Sequence, residues 1–112
     1  MNKTILDRIK KDITANDVVL YMKGTRSMPM CGFSAAVVQI LKELDVRYKD
    51  INVLEDDTIR QGIKEFASWP TIPQLYVKGE FVGGCDVIRD LYAKGELQAL
   101  LSEKGIYINA AA

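Results

Sequence analysis

At the start of the chain the apolar positions fall four apart and then run together. Ile5, Ile9 and Ile13 repeat at the spacing of one helix face with Lys3, Asp7, Arg8, Lys10 and Lys11 around them, which predicts an amphipathic helix over residues 4–13. Asn16-Asp17 punctuates it. Val18-Val19-Leu20-Tyr21-Met22 is then a short continuous apolar run, the pattern of a strand covered on both faces. Lys23 to Met30 contains Gly24, Ser27 and Pro29 and reads as loop; from Cys31 onward Val37, Ile40, Leu41 and Leu44 return to helical spacing. Cys31 therefore stands where a loop becomes a helix.

A second strand is predicted from Arg47 to Val53, where β-branched and aromatic residues alternate with charges. Asp56-Asp57 offers capping carboxylates to a helix whose buried face is Ile59, Ile63 and Phe66, ended by Trp69-Pro70. Gln74 to Lys78, a turn at Gly79 and Glu80 to Val82 form a hairpin signature that Gly83-Gly84 closes. Asp86 is placed to cap a helix through Tyr92, Gly95 to end it, and Leu97, Leu100 and Leu101 mark a last amphipathic stretch before Gly105. The order predicts an α/β domain that begins with a β-α-β unit and finishes with a hairpin packed by helices. One domain over residues 1–107 is expected, with 108–112 as a disordered tail.

Composition narrows what such a domain can do. Fifteen basic residues balance fifteen acidic ones, so no net field gathers nucleic acid or an anionic membrane against the protein. No unbroken apolar segment suits a membrane span or a secretory signal. The expectation is a soluble, intracellular protein, in a bacterial cytosol by preference, with an organelle matrix left open. The chain has no histidine, which removes Ser-His-Asp and Cys-His mechanisms and every imidazole-bound zinc site. Its two cysteines, Cys31 and Cys85, cannot by themselves close a four-ligand metal site.

Cys31-Gly32-Phe33-Ser34 has the spacing of a Cys-x-x-Cys redox motif with a hydroxyl in place of the second thiol. A thiol at a helix N-terminus meets unsatisfied N–H groups and the positive end of the helix dipole, which favours its thiolate. Lys23 adds to this if it folds alongside; the alternative for Cys31 is a buried packing role, against which its place between Pro29 and Gly32 weighs. Trp69-Pro70-Thr71-Ile72-Pro73-Gln74 reads on its own as a rigid turn, though a cis bond before Pro73 would leave the Ile72 backbone open to an extended ligand. Gly83-Gly84-Cys85-Asp86 lets backbone approach a ligand and then opens a helix whose amides suit a carboxylate, with Asp86 as site residue or simple cap. Lys23 and Arg60 are, taken singly, solvated charges.

Together, Lys23-Gly24-Thr25, Pro29, Cys31-Gly32-Phe33-Ser34, Arg60, the Trp69 to Gln74 turn and Gly83-Gly84-Cys85-Asp86 resemble the monothiol glutaredoxins in order and spacing over nearly the whole chain. The resemblance implies the thioredoxin fold, a central four-stranded mixed sheet flanked by helices, with Cys31 at the start of the second helix and Pro73 in cis beside it. It also implies a glutathione site. Lys23 and Arg60 would hold the glycine carboxylate and the Ile72 backbone, freed by Pro73, would pair with the central residue. The amides of Cys85 and Asp86 and the Asp86 carboxylate would take the γ-glutamyl end. Phe33 and Trp69 are ranked as packing residues first.

The same resemblance implies a [2Fe-2S] cluster. Such a cluster takes four thiolates, and one exposed cysteine per subunit leaves two subunits and two glutathiones to supply them, which makes a homodimer through the shared cluster the expected holo form. A BolA-like protein in place of one subunit, and apo iron-sulfur proteins as recipients, are the further partners the family implies. Cys85 is either a resolving thiol under oxidation or a structural residue. The competing function is a glutathione-dependent oxidoreductase in which Cys31 attacks glutathionylated proteins. Against it stands the inserted stretch Thr25 to Met30, which in the resemblance accompanies cluster transfer; a plain interaction domain leaves the agreement of thiol, anion sites and Pro73 unexplained.

Overall fold

The computed structural model describes residues 1–109. Nine elements follow in the order α1 (Lys3–Ala15), β1 (Val18–Met22), α2 (Gly32–Glu43), β2 (Lys49–Asn52), α3 (Asp57–Ala67), β3 (Gln74–Val77), β4 (Glu80–Gly83), α4 (Cys85–Ala93) and α5 (Glu96–Glu103). The strands form one mixed sheet in the order β2-β1-β3-β4, with β1 parallel to β2 and antiparallel to β3, and β3 antiparallel to β4.

Strand alternation sorts the apolar run of β1 onto both faces, as its continuity implies. Val18, Leu20 and Met22, with Leu75 and Val77 of β3, pack against Val37, Ile40 and Leu41 of α2, Ile88 of α4 and Leu97 and Leu101 of α5. Val19, Tyr21 and Tyr76 face the other way onto Ile9 and Ile13 of α1 and Ile59 and Ile63 of α3. The sheet is thus covered on both sides, and each fully buried aliphatic side chain contributes ~1.5–3 kcal/mol of burial free energy. The helix starts follow local chemistry: Asn2 caps α1 by accepting the Ile5 amide at 2.9 Å, and Asp56 caps α3 by accepting the Thr58 amide at 2.9 Å. In the β3–β4 turn Lys78 and Gly79 both have positive φ, 52° and 79°, as a tight hairpin demands.

Three boundaries differ from the sequence expectation. β2 is confined to Lys49–Asn52 because its parallel register with β1 runs from Val19↔Lys49 to Met22↔Asn52, leaving Arg47 and Tyr48 outside the ladder. The cap of α4 is Gly84, and Asp86 lies inside the first turn without a capping hydrogen bond, since the helix starts two residues earlier than an Asp86 cap requires. Of the expected tail, Ile108 packs against the α2/α5 side of the core and the Asn109 amide donates to the Leu44 carbonyl at 2.8 Å. Positions 110–112 lie outside the described residues.

Candidate functional site

Topology gathers the motifs. Because β3 is antiparallel to both neighbours, β1 and β4 end and β3 begins at the same end of the sheet. The segments there are the loop from Lys23 to Cys31, the Trp69 to Pro73 turn and the Gly83-Gly84-Cys85 step into α4. Two helices also start there, α2 with Cys31 as its N-cap residue and α4 with Gly84, and neither cap makes a side-chain hydrogen bond. Their first-turn amides are therefore available to an anion.

At α2 the anion these amides favour is the thiolate of Cys31. The Ser34 amide is the strongest influence lowering the Cys31 pKa; partial burial opposes it, and the Phe33 amide, the Lys23 charge and the Ser34 hydroxyl add to the lowering, so the thiol lies below its ordinary range. Lys23 does fold alongside. Ser34 is fully buried and its hydroxyl accepts the Lys23 amide at 3.1 Å, so one side chain ties the end of β1 to the thiol. Cys85, by contrast, is buried at the first position of α4.

At the start of α2, two residues along from Cys31, lies a narrow cleft of about 140 Å³ whose wall includes neither Cys31 nor Lys23. Phe33 forms one wall, Trp69, Thr71, Ile72 and Pro73 a second, and Gly84, Cys85 and Asp86 the third. The Ile72–Pro73 peptide is cis. Gln74, fully buried, fixes the turn by donating from Nε2 to the carbonyls of Trp69 at 3.2 Å and Thr71 at 3.3 Å, while its Oε1 accepts the Tyr76 hydroxyl at 3.1 Å. Glycine is required at position 84: a Cβ there would stand 2.9 Å from Trp69 Nε1 and 3.3 Å from the Pro73 carbonyl, so a side chain would push the turn off α4.

The structure brings Ile72, Pro73, Cys85 and Asp86 together in this cleft and sets Lys23 next to Cys31. Arg60 is not in the cleft wall; its Nε stands 3.2 Å from Asp57 Oδ1 within α3 as an ion pair, without the alignment of a hydrogen bond. Phe33 and Trp69, ranked above as packing residues, both line the cleft, Trp69 packing in addition on Phe81 with ring centroids 5.5 Å apart. Thr71 and Gln74 belong to the turn motif read in the sequence, but their separate roles, Thr71 in the cleft wall and Gln74 as the residue that holds the turn, depend on the folded turn and carry no local signal of their own. Met28, Met30 and Phe33, 69%, 64% and 60% exposed, give the surroundings of Cys31 an apolar surface. Among the described residues no three His, Cys, Asp or Glu side chains converge as a metal site. A larger cavity of about 490 Å³, between Asp17, Arg47 and Tyr107 at the other end of β1, holds neither thiol.

The glutaredoxin family model matches residues 18–82, from β1 through β4. An uncharacterized monothiol glutaredoxin of Synechocystis is 55% identical over 101 residues, covering 90% of this chain and 94% of its own. The chain belongs to the monothiol glutaredoxins. A probable monothiol glutaredoxin 2 of Rickettsia typhi is 51% identical over 104 residues, with 93% and 94% covered. The chloroplastic monothiol glutaredoxin-S14 of Arabidopsis thaliana is 55% identical over 92 residues, 82% of this chain, which spans only 53% of that longer protein. Among solved structures, a truncated Trypanosoma brucei 1-C-Grx1 superposes with a TM-score of 0.85 at 38% identity, covering 92% and 94% of the two chains. Reduced apo GrxS14 from poplar gives 0.76 at 51% identity, with 91% of each chain covered. A buckwheat glutaredoxin solved in complex with glutathione, 24% identical with a TM-score of 0.82 over 94% of each chain, shares the thioredoxin fold with this monothiol glutaredoxin. Among the described residues no helix is long and apolar enough to cross a membrane.

Proposed function

We propose that this monothiol glutaredoxin carries a [2Fe-2S] cluster, ligated by Cys31 and glutathione between two subunits, and passes it to apo iron-sulfur proteins. The observation that carries the reading is the unequal placement of the two thiols. Cys31 is partly exposed at a helix N-terminus with its thiolate favoured, whereas Cys85 is buried. One available thiolate per subunit meets a four-thiolate requirement when a second subunit and two glutathiones are added.

The cleft and its rim present groups that match the two ends and the backbone of glutathione. Ile72 places its backbone in the cleft wall ahead of the cis peptide, the start of α4 offers the Cys85 and Asp86 amides to a carboxylate, and the Asp86 carboxylate is exposed for an ammonium. Lys23 supplies the cation for the second carboxylate, and Arg60 joins it only by leaving Asp57. The buckwheat glutaredoxin bound to glutathione supports the same ligand here. The exposed Met28, Met30 and Phe33 give a second subunit, a BolA-like protein or an apo recipient an adaptable apolar surface around the ligand thiol. The Rickettsia and Synechocystis relatives support a cytosolic setting.

A second reading, glutathione-dependent reduction of glutathionylated proteins, is favoured by the lowered Cys31 pKa: the thiolate attacks the mixed disulfide, the protein thiolate leaves, and a second glutathione thiolate releases Cys31. Anaerobic reconstitution with iron, sulfide and glutathione separates the two. The carrier reading expects a coloured dimer, loss of the chromophore in Cys31→Ser, near-normal iron and sulfide in Cys85→Ser, and transfer to an apo-ferredoxin faster than turnover of a glutathionylated disulfide. A colourless monomer with rapid disulfide turnover overturns it.

A further inference from the structure

The loop between β1 and Cys31 is closed on itself and tied to β2 at two points. Internally, Gly24 bridges Pro29, the Met30 amide donates to the Lys23 carbonyl at 2.9 Å, and Thr25 and Met28 exchange amide–carbonyl bonds of 3.2 and 3.1 Å. At its base the Gly24 amide donates to Asn52 Oδ1 at 2.9 Å. At its tip Arg26 grips β2. Its amide donates to Asp50 Oδ2 at 2.9 Å, its Nε and Nη2 donate to Asp50 Oδ1 at 3.3 and 3.1 Å, Nη2 also donates to the Tyr48 carbonyl, and the guanidinium lies 4.1 Å from the Tyr48 ring centroid.

We infer that Arg26 is a positioning residue: its clamp on Asp50 and Tyr48 orients the loop so that Lys23 stays beside Cys31 while Met28 and Met30 face outward.

The loop runs from Lys23, whose amide donates to Ser34 Oγ, to Met30, whose amide donates to the Lys23 carbonyl just before Cys31, so a tip released from β2 pulls on the bonds that hold the Lys23 cation against the thiol. An exposed ion pair is by itself weak, but here one side chain makes a forked carboxylate contact, a carbonyl contact and a ring contact, so its ordering cost is shared among them. The guanidinium also occupies the Tyr48 carbonyl, one residue ahead of β2, and so fixes the entry to the outer strand of the sheet. Burial pushes the Asp50 carboxyl up, yet the Arg26 amide, the guanidinium bonds and its charge outweigh this and leave it below the usual carboxylate range.

The test uses the full chain without cluster, as Arg26→Ala, Asp50→Asn, the double variant and Arg26→Lys. The readouts are alkylation of Cys31 at fixed neutral pH, followed by peptide mass, and glutathione affinity by calorimetry. Both are expected to fall about three- to tenfold in each single variant, the double variant is expected to be no worse than either, and Arg26→Lys to recover part of the loss because lysine keeps the charge without the fork. A role in stability alone lowers the melting temperature and leaves both readouts at wild-type values, which overturns the inference, as do losses that add in the double variant. The link from loop orientation to cluster retention rests on the carrier reading, and its readout is the cluster half-life of the same variants. Normal apo-protein effects with no cluster in the wild type sink that reading and leave the clamp standing.

Discussion

Ser34 holds the place where a dithiol protein has its second cysteine, and it works through its hydroxyl and amide. It accepts the Lys23 amide, and it stabilises the Cys31 thiolate by both backbone and side chain. Since a donor lost from a thiolate raises its pKa, Ser34→Ala should shift the midpoint of the pH–alkylation profile of Cys31 upward, lowering the rate at neutral pH. The midpoint should stay below the free-cysteine value of ~8.5, because the Ser34 and Phe33 amides remain. The same change leaves the partly buried Lys23 amide without its acceptor and should cost about 1 kcal/mol in denaturant unfolding. An unmoved midpoint would mean that the hydroxyl does not reach the sulfur. Cys31 was legible in the sequence because loop residues and helical spacing meet there. The ties that tune it were not: Lys23 and Ser34 are eleven residues apart, and Arg26 and Asp50 twenty-four, and no local pattern encodes such pairings.

At the scale of elements, the helices were read well because each repeats an apolar face over at least two turns, whereas the short strand β2 was overextended. Alternation in Arg47 to Val53 cannot show where a parallel partner stops, and Tyr48 turns out to serve the Arg26 clamp. Asp86 was misplaced as a cap because a glycine at the actual cap leaves no side-chain signature. The loop from Lys23 to Met30 was read as irregular and is instead a bridged unit built around Gly24. That glycine has φ +88°, and a Cβ on it would meet the Met28 carbonyl at 2.5 Å and the Met30 amide nitrogen at 2.6 Å. Gly24→Ala should therefore cost the ~1–2 kcal/mol of the left-handed backbone plus the clash, and should open the bridge to Pro29. Amide exchange at Met28 and Met30 measures the opening directly; protection equal to wild type would show that the loop has another way to close.

For the whole molecule, burial of the sheet on both faces separates the task of folding from that of binding. Apart from Cys85, which belongs to that core and also lines the cleft, the core side chains of α2, α4 and α5 do not line it, while the helix starts that border it are fixed by that core. Ile88, fully buried one turn into α4, is the clearest case. Ile88→Ala should cost ~2–5 kcal/mol in global stability, and because α4 carries Cys85 and Asp86 at its start, loss of packing there should weaken glutathione binding as well. Calorimetric unfolding together with ligand titration tests both parts, and a stability loss under ~1 kcal/mol would place the anchor of α4 elsewhere in the core.

The position of Trp69 has a practical side. The chain contains a single tryptophan, and it lies in the cleft wall with its indole nitrogen against Gly84 and its ring against Phe81. Light emitted by tryptophan in this protein therefore comes from one known place, so the fluorescence of the unlabelled chain is a built-in optical probe of whatever enters beside Cys31.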